Sequence, residues 1–131
     1  MIPLKVALGN RVGKEKLYVS YSNPLSSGMI RKTNKAFIVK VIPLDFLIKV
    51  LHIDYIDILK MDVEGYELEV LKGGRKALRL TKAIVVASYH YKNEADEIVD
   101  ELKDQFFIEI RRINGNAYVY GVSKSIENHN H

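Results

Sequence analysis

Hydrophobic and polar positions in the first half of the chain follow strand spacing and then helix spacing. Lys14 to Tyr21 alternates apolar and polar side chains, as a half-exposed strand does. Ala36 to Ile42 is rich in β-branched residues, which favour strands. Pro43 can open a helix over Leu44 to Leu51, because its missing N–H falls among the unpaired donors of a first helical turn. Met1 to Leu8 is apolar enough for one more strand.

The middle of the chain repeats this order. The run from Ile56 to Met61, with apolar Ile56, Ile58, Leu59 and Met61, predicts a short buried strand. Tyr66 to Gly74 has helical spacing and ends in two glycines, a typical C-terminal stop. Ala83 to His90 is apolar throughout most of its length, as in a strand covered on both faces. These signals predict a strand, a helix and a second strand.

The last third predicts one helix and a hairpin. Asn93 can cap a helix in which Ala95 to Leu102 places apolar residues on one face. Phe106 to Ile110 alternates, and Asn114-Gly115 is a strong hairpin signal before the returning strand Ala117 to Val122. The whole order predicts an α/β fold with a mostly parallel sheet and a C-terminal antiparallel hairpin.

Two segments predict connections rather than strands or helices. Gly9 to Gly13 precedes a charged strand instead of a helix, which favours a hairpin turn over a phosphate-cradling loop. Ser22 to Lys35 holds Asn-Pro and Ser-Ser-Gly sequences, which are typical of a long loop. We expect one domain over residues 1–122 and a polar, disordered tail over residues 123–131.

Composition narrows the classes of protein. The 131 residues suffice for one core, and 47% hydrophobic content excludes a disordered chain of low hydrophobicity. No apolar run reaches the roughly 20 residues of a membrane span, and zero cysteines exclude disulfides and favour the cytoplasm. The net charge of +4 is spread along the chain, so we expect no nucleic-acid partner.

The candidate chemistry lies in the sequence IDILKMDVEGYELEVLKGG, Ile56 to Gly74. Asp62 and Glu64 follow the predicted strand, and Gly65 allows the backbone to turn there. Ligands of open α/β sheets bind beyond the carboxyl ends of the strands, so both acids are site candidates. The plain alternative is that they stabilise the N-terminus of the helix beginning near Tyr66.

This segment resembles the DVEG motif region of FkbM-type methyltransferases, which use S-adenosylmethionine to methylate oxygen atoms. The similarity continues through Ile2 to Tyr21, Val41 to Leu51 and Ala83 to His90, and covers the chain to about Val122. It implies a Rossmann-like methyltransferase sheet. It also implies an acceptor hydroxyl on a sugar, a lipid or a small metabolite, among which the sequence does not choose.

The resemblance assigns roles to five residues. Glu64 would take the hydroxyl proton or orient the acceptor, and His90, after the next strand, would carry protons. Asp62 and Val63 would contact the cofactor, and Asn10 matches the position that faces the adenine. His90 could also join Asp62 and Glu64 in a divalent-metal site, but we expect no metal.

Ordinary structural roles compete with some of these assignments. The sequence slightly favours an ordinary turn asparagine for Asn10, and a histidine that ends a strand, as His90 does, is more often a plain polar terminus. Ser88 stands where many family members carry a glutamate, which weakens a catalytic role for that strand.

The family's glycine-rich cofactor turn has no counterpart in this sequence. We therefore expect a partial Rossmann-like sheet with an exposed edge, covered by Met1 to Leu8 or by a second chain. The alternatives to an active enzyme are a non-catalytic remnant, an interaction module, or one part of a split methyltransferase.

Overall fold

The computed structural model describes residues 1–24 and 30–125, with side chains at 1–16 and 36–125. Within these residues lie seven strands and four helices, in this order: β1 (Ala7–Gly9), β2 (Gly13–Pro24), β3 (Ile30–Pro43), α1 (Leu44–Val50), β4 (Ile56–Met61), α2 (Glu67–Lys72), α3 (Arg75–Arg79), β5 (Thr81–Ala87), α4 (Glu94–Leu102), β6 (Phe106–Ile113) and β7 (Asn116–Ser123).

The described strands form two mixed sheets. One has the order β4-β5-β7-β6 and the other the order β1-β3-β2. β4 and β5 are parallel, whereas β7 is antiparallel to both β5 and β6. The α/β class is confirmed, but the mostly parallel sheet is wrong. Parallel neighbours need a crossover, which α2 and α3 provide between β4 and β5, whereas β6 and β7 are joined by a hairpin.

The predicted C-terminal hairpin is confirmed. Asn114 and Gly115 both have positive φ, at 52° and 82°, and connect Ile113 to its partner Asn116. Positive φ at both central residues is the type I′ geometry, whose twist matches that of the flanking strands.

The predicted loop from Ser22 to Lys35 is wrong over most of its length. β2 and β3 pair without interruption from Gly13–Val41 to Pro24–Ile30. A continuous ladder satisfies the backbone hydrogen bonds that a loop would leave to water, and this outweighs the turn preferences of the residues. The Ser26-Ser27-Gly28 part of the prediction lies outside the described residues.

The N-terminal strand is shorter than predicted and pairs elsewhere. Only Ala7–Gly9 is a strand, and it runs parallel to β3. Gly9 to Gly13 is therefore not a hairpin turn, because β1 and β2 flank β3 instead of pairing with each other. β4 remains the edge of its sheet within the described residues.

β4 is less buried than the sequence predicts. Met61 is buried, but Ile58 is 68% exposed. An edge strand has a neighbour on one side only, and the sheet face that carries Ile58 is open to solvent. The prediction of a buried strand is therefore wrong for its outer face.

The core lies between the four-stranded sheet and three helices. Its buried apolar side chains come from α2, α3 and α4 on one side and from the sheet on the other: Met61, Val70, Leu71, Leu78, Ile84, Val86, Ile98, Leu102, Phe106 and Val119. A smaller cluster of Leu44, Ile48 and Ala77 holds α1 against α3. Burial of this kind contributes about 25 cal/mol per Å² of apolar surface.

Two long-range contacts fix the helices that follow the candidate motif. The carboxylate of Asp45 accepts the backbone N–H groups of Lys76 at 3.1 Å and Ala77 at 2.8 Å, at the start of α3. Gly73, which ends α2 as predicted, lies against the turn after β1. A Cβ on Gly73 would be 2.2 Å from the carbonyl oxygen of Gly9.

The start of α4 differs from the prediction. Asn93 is the N-cap residue, but its φ is 68° and its side chain makes no capping hydrogen bond. A capping side chain needs an extended backbone, which a left-handed residue does not have. No helix in the described part of the chain is long and apolar enough to cross a bilayer. Of the predicted tail, residues 126–131 lie outside the described residues.

We expect Gly73→Ala to lower the free energy of unfolding by about 1–3 kcal/mol, because the added methyl group collides with backbone rather than with an adaptable side chain. Gly13→Ala is the matched control, since a Cβ there meets nothing within 4 Å. Its effect should stay within about 0.5 kcal/mol. Urea denaturation measures both, and equal stabilities of the two variants would contradict the close contact.

Candidate functional site

The candidate acids lie on a tight turn between β4 and α2. Asp62 directly follows Met61, and Glu64 and Gly65 both have positive φ, at 55° and 96°. Positive φ is uncommon for a residue with a side chain and is often found where surrounding structure holds a functional turn. A Cβ on Gly65 would lie 3.5 Å from the Cβ of His90. The turn therefore approaches the segment that follows β5.

Glu67, in the first turn of α2, fixes the shape of this turn. Its side chain is fully buried. One carboxylate oxygen accepts the N–H of Val63 at 2.5 Å, and the other accepts the N–H of Gly65 at 2.9 Å. A buried carboxylate is costly unless hydrogen bonds compensate it, so Glu67 and the turn stabilise each other.

His90 connects this turn to α4 through its Nδ1 atom. Nδ1 lies 3.2 Å from Glu67 Oε1 and 3.2 Å from Glu94 Oε1. Glu94 is also fully buried, and its Oε1 accepts the backbone N–H of His90 at 3.1 Å. The ring is therefore oriented by two interior carboxylates that come from two different helices.

The Nε2 atom of His90 faces the two predicted acids. It lies 3.1 Å from Asp62 Oδ1 and 3.7 Å from Glu64 Oε2. The side chain of His90 is 10% exposed, whereas those of Asp62 and Glu64 are 44% and 87% exposed. The tip of the buried ring thus meets two acids that solvent can reach.

The acids shift the titration of the site. Burial by itself lowers the pKa of His90. The hydrogen bond to Glu94 and the charge of Glu67 raise the pKa of His90 by more, so it lies above its usual range. Burial, followed by the proximity of Glu67, also raises the pKa of Glu94. Both shifts favour the protonated forms in the folded protein.

A cleft of about 290 Å³ is lined by two residues that contact His90, Tyr89 and Glu94, but not by His90, Asp62 or Glu64. Its lining includes Ser88, Tyr89, Tyr91, Glu94 and Arg112. Tyr89 stacks on His90 with 4.6 Å between ring centroids. The cleft is mostly polar and lies at the carboxyl end of β5, where Ser88 and Tyr89 follow the strand.

Tyr89 also contacts the acidic side of the site. Its hydroxyl donates to Asp62 Oδ2 at 3.4 Å. The neighbouring Tyr118 hydroxyl, then burial and the charge of Asp62, raise the pKa of Tyr89 to about 12, so it remains a neutral donor at physiological pH.

The structure brings three of the predicted site residues together and separates one. Asp62, Glu64 and His90 converge, with candidate ligand atoms within 4.8 Å of one another. Asn10 instead lines a cavity of about 230 Å³ with Tyr66. The cavity that Asn10 lines shares no lining residue with the cleft at the carboxyl end of β5.

Val63 has little polar capacity left for a ligand. Its N–H is bound by Glu67, and its carbonyl oxygen accepts the N–H of Tyr66 at 3.2 Å. A contact from Val63 to a ligand would therefore be apolar or would use the second lone pair of its carbonyl oxygen.

Sequence reasoning missed Glu67 and Glu94, the two residues that orient His90. A signal was present. Glu67 begins the buried stripe of α2 that continues through Val70 and Leu71, and Glu94 begins the stripe of α4 that continues through Ile98. An acid in line with the apolar face of a helix is expected to be buried, and a buried acid needs a specific partner.

The pKa shifts predict a pH dependence of stability. Because His90 and Glu94 bind protons more tightly in the folded state, their contribution is fully present below their ordinary pKa values and is lost as pH rises through the raised ones. We expect the free energy of unfolding to fall between pH 5 and 8, with a shallower slope in Glu94→Gln. Urea denaturation at a series of pH values, in buffer with a chelator, measures how steeply the free energy of unfolding changes with pH.

Glu97→Gln is the matched control, since Glu97 is an exposed acid on the same helix. The free energy of unfolding of this variant should change with pH as steeply as that of the wild type. A Glu94→Gln slope as steep as the wild type would contradict the proposed protonation of the buried cluster.

Comparison with known proteins identifies the family of this chain. The family model described as Methyltransferase FkbM domain matches residues 2–113. Searches among curated proteins and among solved structures gave no significant match. The matched range contains β4, the acidic turn, β5 and His90. With most of its length matched, the chain belongs to the FkbM methyltransferase domain family.

Proposed function

We propose that the protein transfers a methyl group from S-adenosylmethionine to a hydroxyl oxygen of a small molecule, glycan or lipid. The observation that carries this proposal is the convergence of Asp62, Glu64 and His90 at the carboxyl ends of two parallel strands. That end of an α/β sheet is where ligands bind, and family membership supplies the reaction class.

The residues present fit the cationic part of the cofactor. S-adenosylmethionine, when bound, supplies a methyl group on a positively charged sulfonium. The exposed oxygens of Asp62 and Glu64 can attract that charge, accept hydrogen bonds from ribose hydroxyls or bind the amino group. The N–H groups of Val63 and Gly65 are held by Glu67, so this turn offers them to no carboxylate of a ligand.

Two residues can manage the proton that the acceptor hydroxyl loses. Glu64 is the most exposed acid of the cluster, so its carboxylate can contact the hydroxyl of an acceptor that binds on the solvent side of the turn. Its Oε2 lies 3.7 Å from His90 Nε2, so a proton taken by Glu64 can pass to the imidazole after a small side-chain movement. Glu67 and Glu94 orient the ring and favour its protonated form.

The cleft at the carboxyl end of β5 fits a hydroxylated acceptor. Arg112 offers donors to a cavity of about 290 Å³. The hydroxyls of Ser88 and Tyr91 donate to the carbonyl oxygen of Val86 and to Glu97, and their oxygens can still accept a hydrogen bond. Arg112 is also exposed, so it can bind an acidic group of the acceptor. We assign acceptor binding to this cleft and cofactor contacts to Asp62, Val63 and the separate Asn10 cavity.

A second candidate function is an interaction module or one part of a two-chain enzyme. The open sheet face carries an apolar row in which Ile58 lies beside Ala83, Ala83 beside Val122, and Val122 beside Phe107. Ile58, Val122 and Phe107 are each at least half exposed in the described structure. An exposed apolar row across an open sheet face favours contact with a further polypeptide, including a second copy, and β4 is an unpaired edge within the described residues.

Calorimetric titration with S-adenosylmethionine separates the two candidates. The enzyme proposal predicts saturable binding by the chain alone, weakened in Asp62→Asn. Absence of binding by the chain alone would contradict it and favour the second candidate. Asp57→Asn is the matched control, because Asp57 is an exposed acid on β4 outside the cluster.

Glu64→Gln tests the proton step once an acceptor is found. We expect turnover to fall at least about tenfold, with cofactor affinity nearly unchanged, because the amide cannot take a proton. Turnover is measured by methyl transfer from labelled cofactor. A variant that turns over at the wild-type rate would remove Glu64 from the mechanism.

A further inference from the structure

His90 has one ring nitrogen for which the described structure provides no hydrogen-bond partner. Nε2 is buried and makes no hydrogen bond of acceptable geometry, although Asp62 Oδ1 lies 3.1 Å away. The side chain is nine-tenths buried, and Nε2 is directed between the carboxylates of Asp62 and Glu64. When the neutral ring carries its proton on Nδ1, the lone pair of Nε2 faces the carboxylates of Asp62 and Glu64. A cation between the three groups would satisfy all of them.

We propose that Asp62, Glu64 and His90 form a binding site for a divalent first-row transition-metal ion such as Mn²⁺ or Zn²⁺. Ligand atoms about 2.1 Å from one ion lie about 3.0–3.4 Å apart at octahedral or tetrahedral angles. The distances of 3.1 and 3.7 Å from Nε2 to Asp62 Oδ1 and Glu64 Oε2 need only a small adjustment to match. An imidazole ligand favours transition metals over Mg²⁺ and Ca²⁺.

His90 has carboxylates beside its other ring nitrogen, Nδ1, as histidines that bind metal ions usually do. A histidine ligand usually donates its other ring N–H to a carboxylate, which fixes the ring and the tautomer. Here Glu67 Oε1 and Glu94 Oε1 both lie 3.2 Å from Nδ1. Both carboxylates are fully buried, so they hold the ring without competing for an ion from solvent.

The interior group Glu67, His90 and Glu94 also has ligand atoms close together, but it fits an ion poorly. Both oxygens of Glu67 already accept backbone N–H groups, and Glu94 Oε1 accepts the N–H of His90. The outer group is the accessible one, because Asp62 and Glu64 are exposed. It gives an ion an entry path and leaves coordination positions open to solvent.

An ion at this site is compatible with the Tyr89 contact but replaces the proton transfer from Glu64 to His90, because it would occupy the lone pair of His90 Nε2. It would use Asp62 Oδ1 and Glu64 Oε2, which leaves Asp62 Oδ2 with the Tyr89 hydroxyl. Within the proposed function, the open positions would bind the acceptor oxygen and favour loss of its proton. Binding of the acceptor to the ion rests on the proposed methyl transfer, whereas binding of the ion does not depend on that function.

Titration of the 131-residue chain with Mn²⁺ alone, followed by electron paramagnetic resonance and calorimetry, tests the site without cofactor or acceptor. We expect one saturable ion per chain. Asp62→Asn should weaken binding at least about tenfold and remain folded, because Asp62 is exposed. Glu94→Gln, which touches no ion, should weaken it about tenfold by loosening the ring.

Two controls make the result specific. Asp57→Asn removes an exposed acid on the same strand and should bind as the wild type does. The double variant His129→Asn, His131→Asn removes the histidines of the C-terminal tail and should also bind normally. Absence of saturable binding, wild-type affinity in Asp62→Asn, or loss of binding in the tail variant would overturn the proposal.

Discussion

The structure around the site depends on how one buried carboxylate, Glu67, is compensated. A charge in the interior costs several kcal/mol unless it is hydrogen-bonded or paired. Glu67 meets this constraint by accepting two backbone N–H groups from the turn after β4 and by lying beside His90. The same contacts hold the turn in a left-handed geometry at Glu64 and Gly65. The hydrogen bonds that stabilise the buried Glu67 therefore also position the exposed acids Asp62 and Glu64.

His90 divides the site into an interior side and a solvent side. Glu67 and Glu94 hold Nδ1 from two helices, while Asp62 and Glu64 face Nε2. This asymmetry determines which nitrogen can exchange a proton or bind an ion. The proposed reaction removes a proton from a hydroxyl and would gain from a ring held in one orientation, because proton transfer needs fixed geometry. The fold supplies that orientation through α2 and α4 rather than through the turn itself.

The sequence predicted the local elements better than their arrangement. The helix after Pro43, the stop at Gly73 and the Asn114-Gly115 turn depend on residues within a few positions, and the structure confirms them. Sheet direction and the exposure of Ile58 depend on which strands become neighbours, which local spacing does not encode. The β2–β3 ladder likewise outweighed the loop signals after Ser22. At the site, the motif predicted Asp62 and Glu64, while Glu67 and Glu94 required knowing which helix faces meet the end of β5.

The central claim is that buried carboxylates hold the proton of His90 on Nδ1 and leave Nε2 directed at the exposed acids. Nitrogen-detected NMR of the labelled protein, in metal-free buffer, tests it by assigning the tautomer of each histidine across the folded pH range. The account predicts that Nδ1 of His90 stays protonated throughout and that only Nε2 titrates. A neutral ring protonated on Nε2, or shifts like those of an exposed histidine, would contradict it.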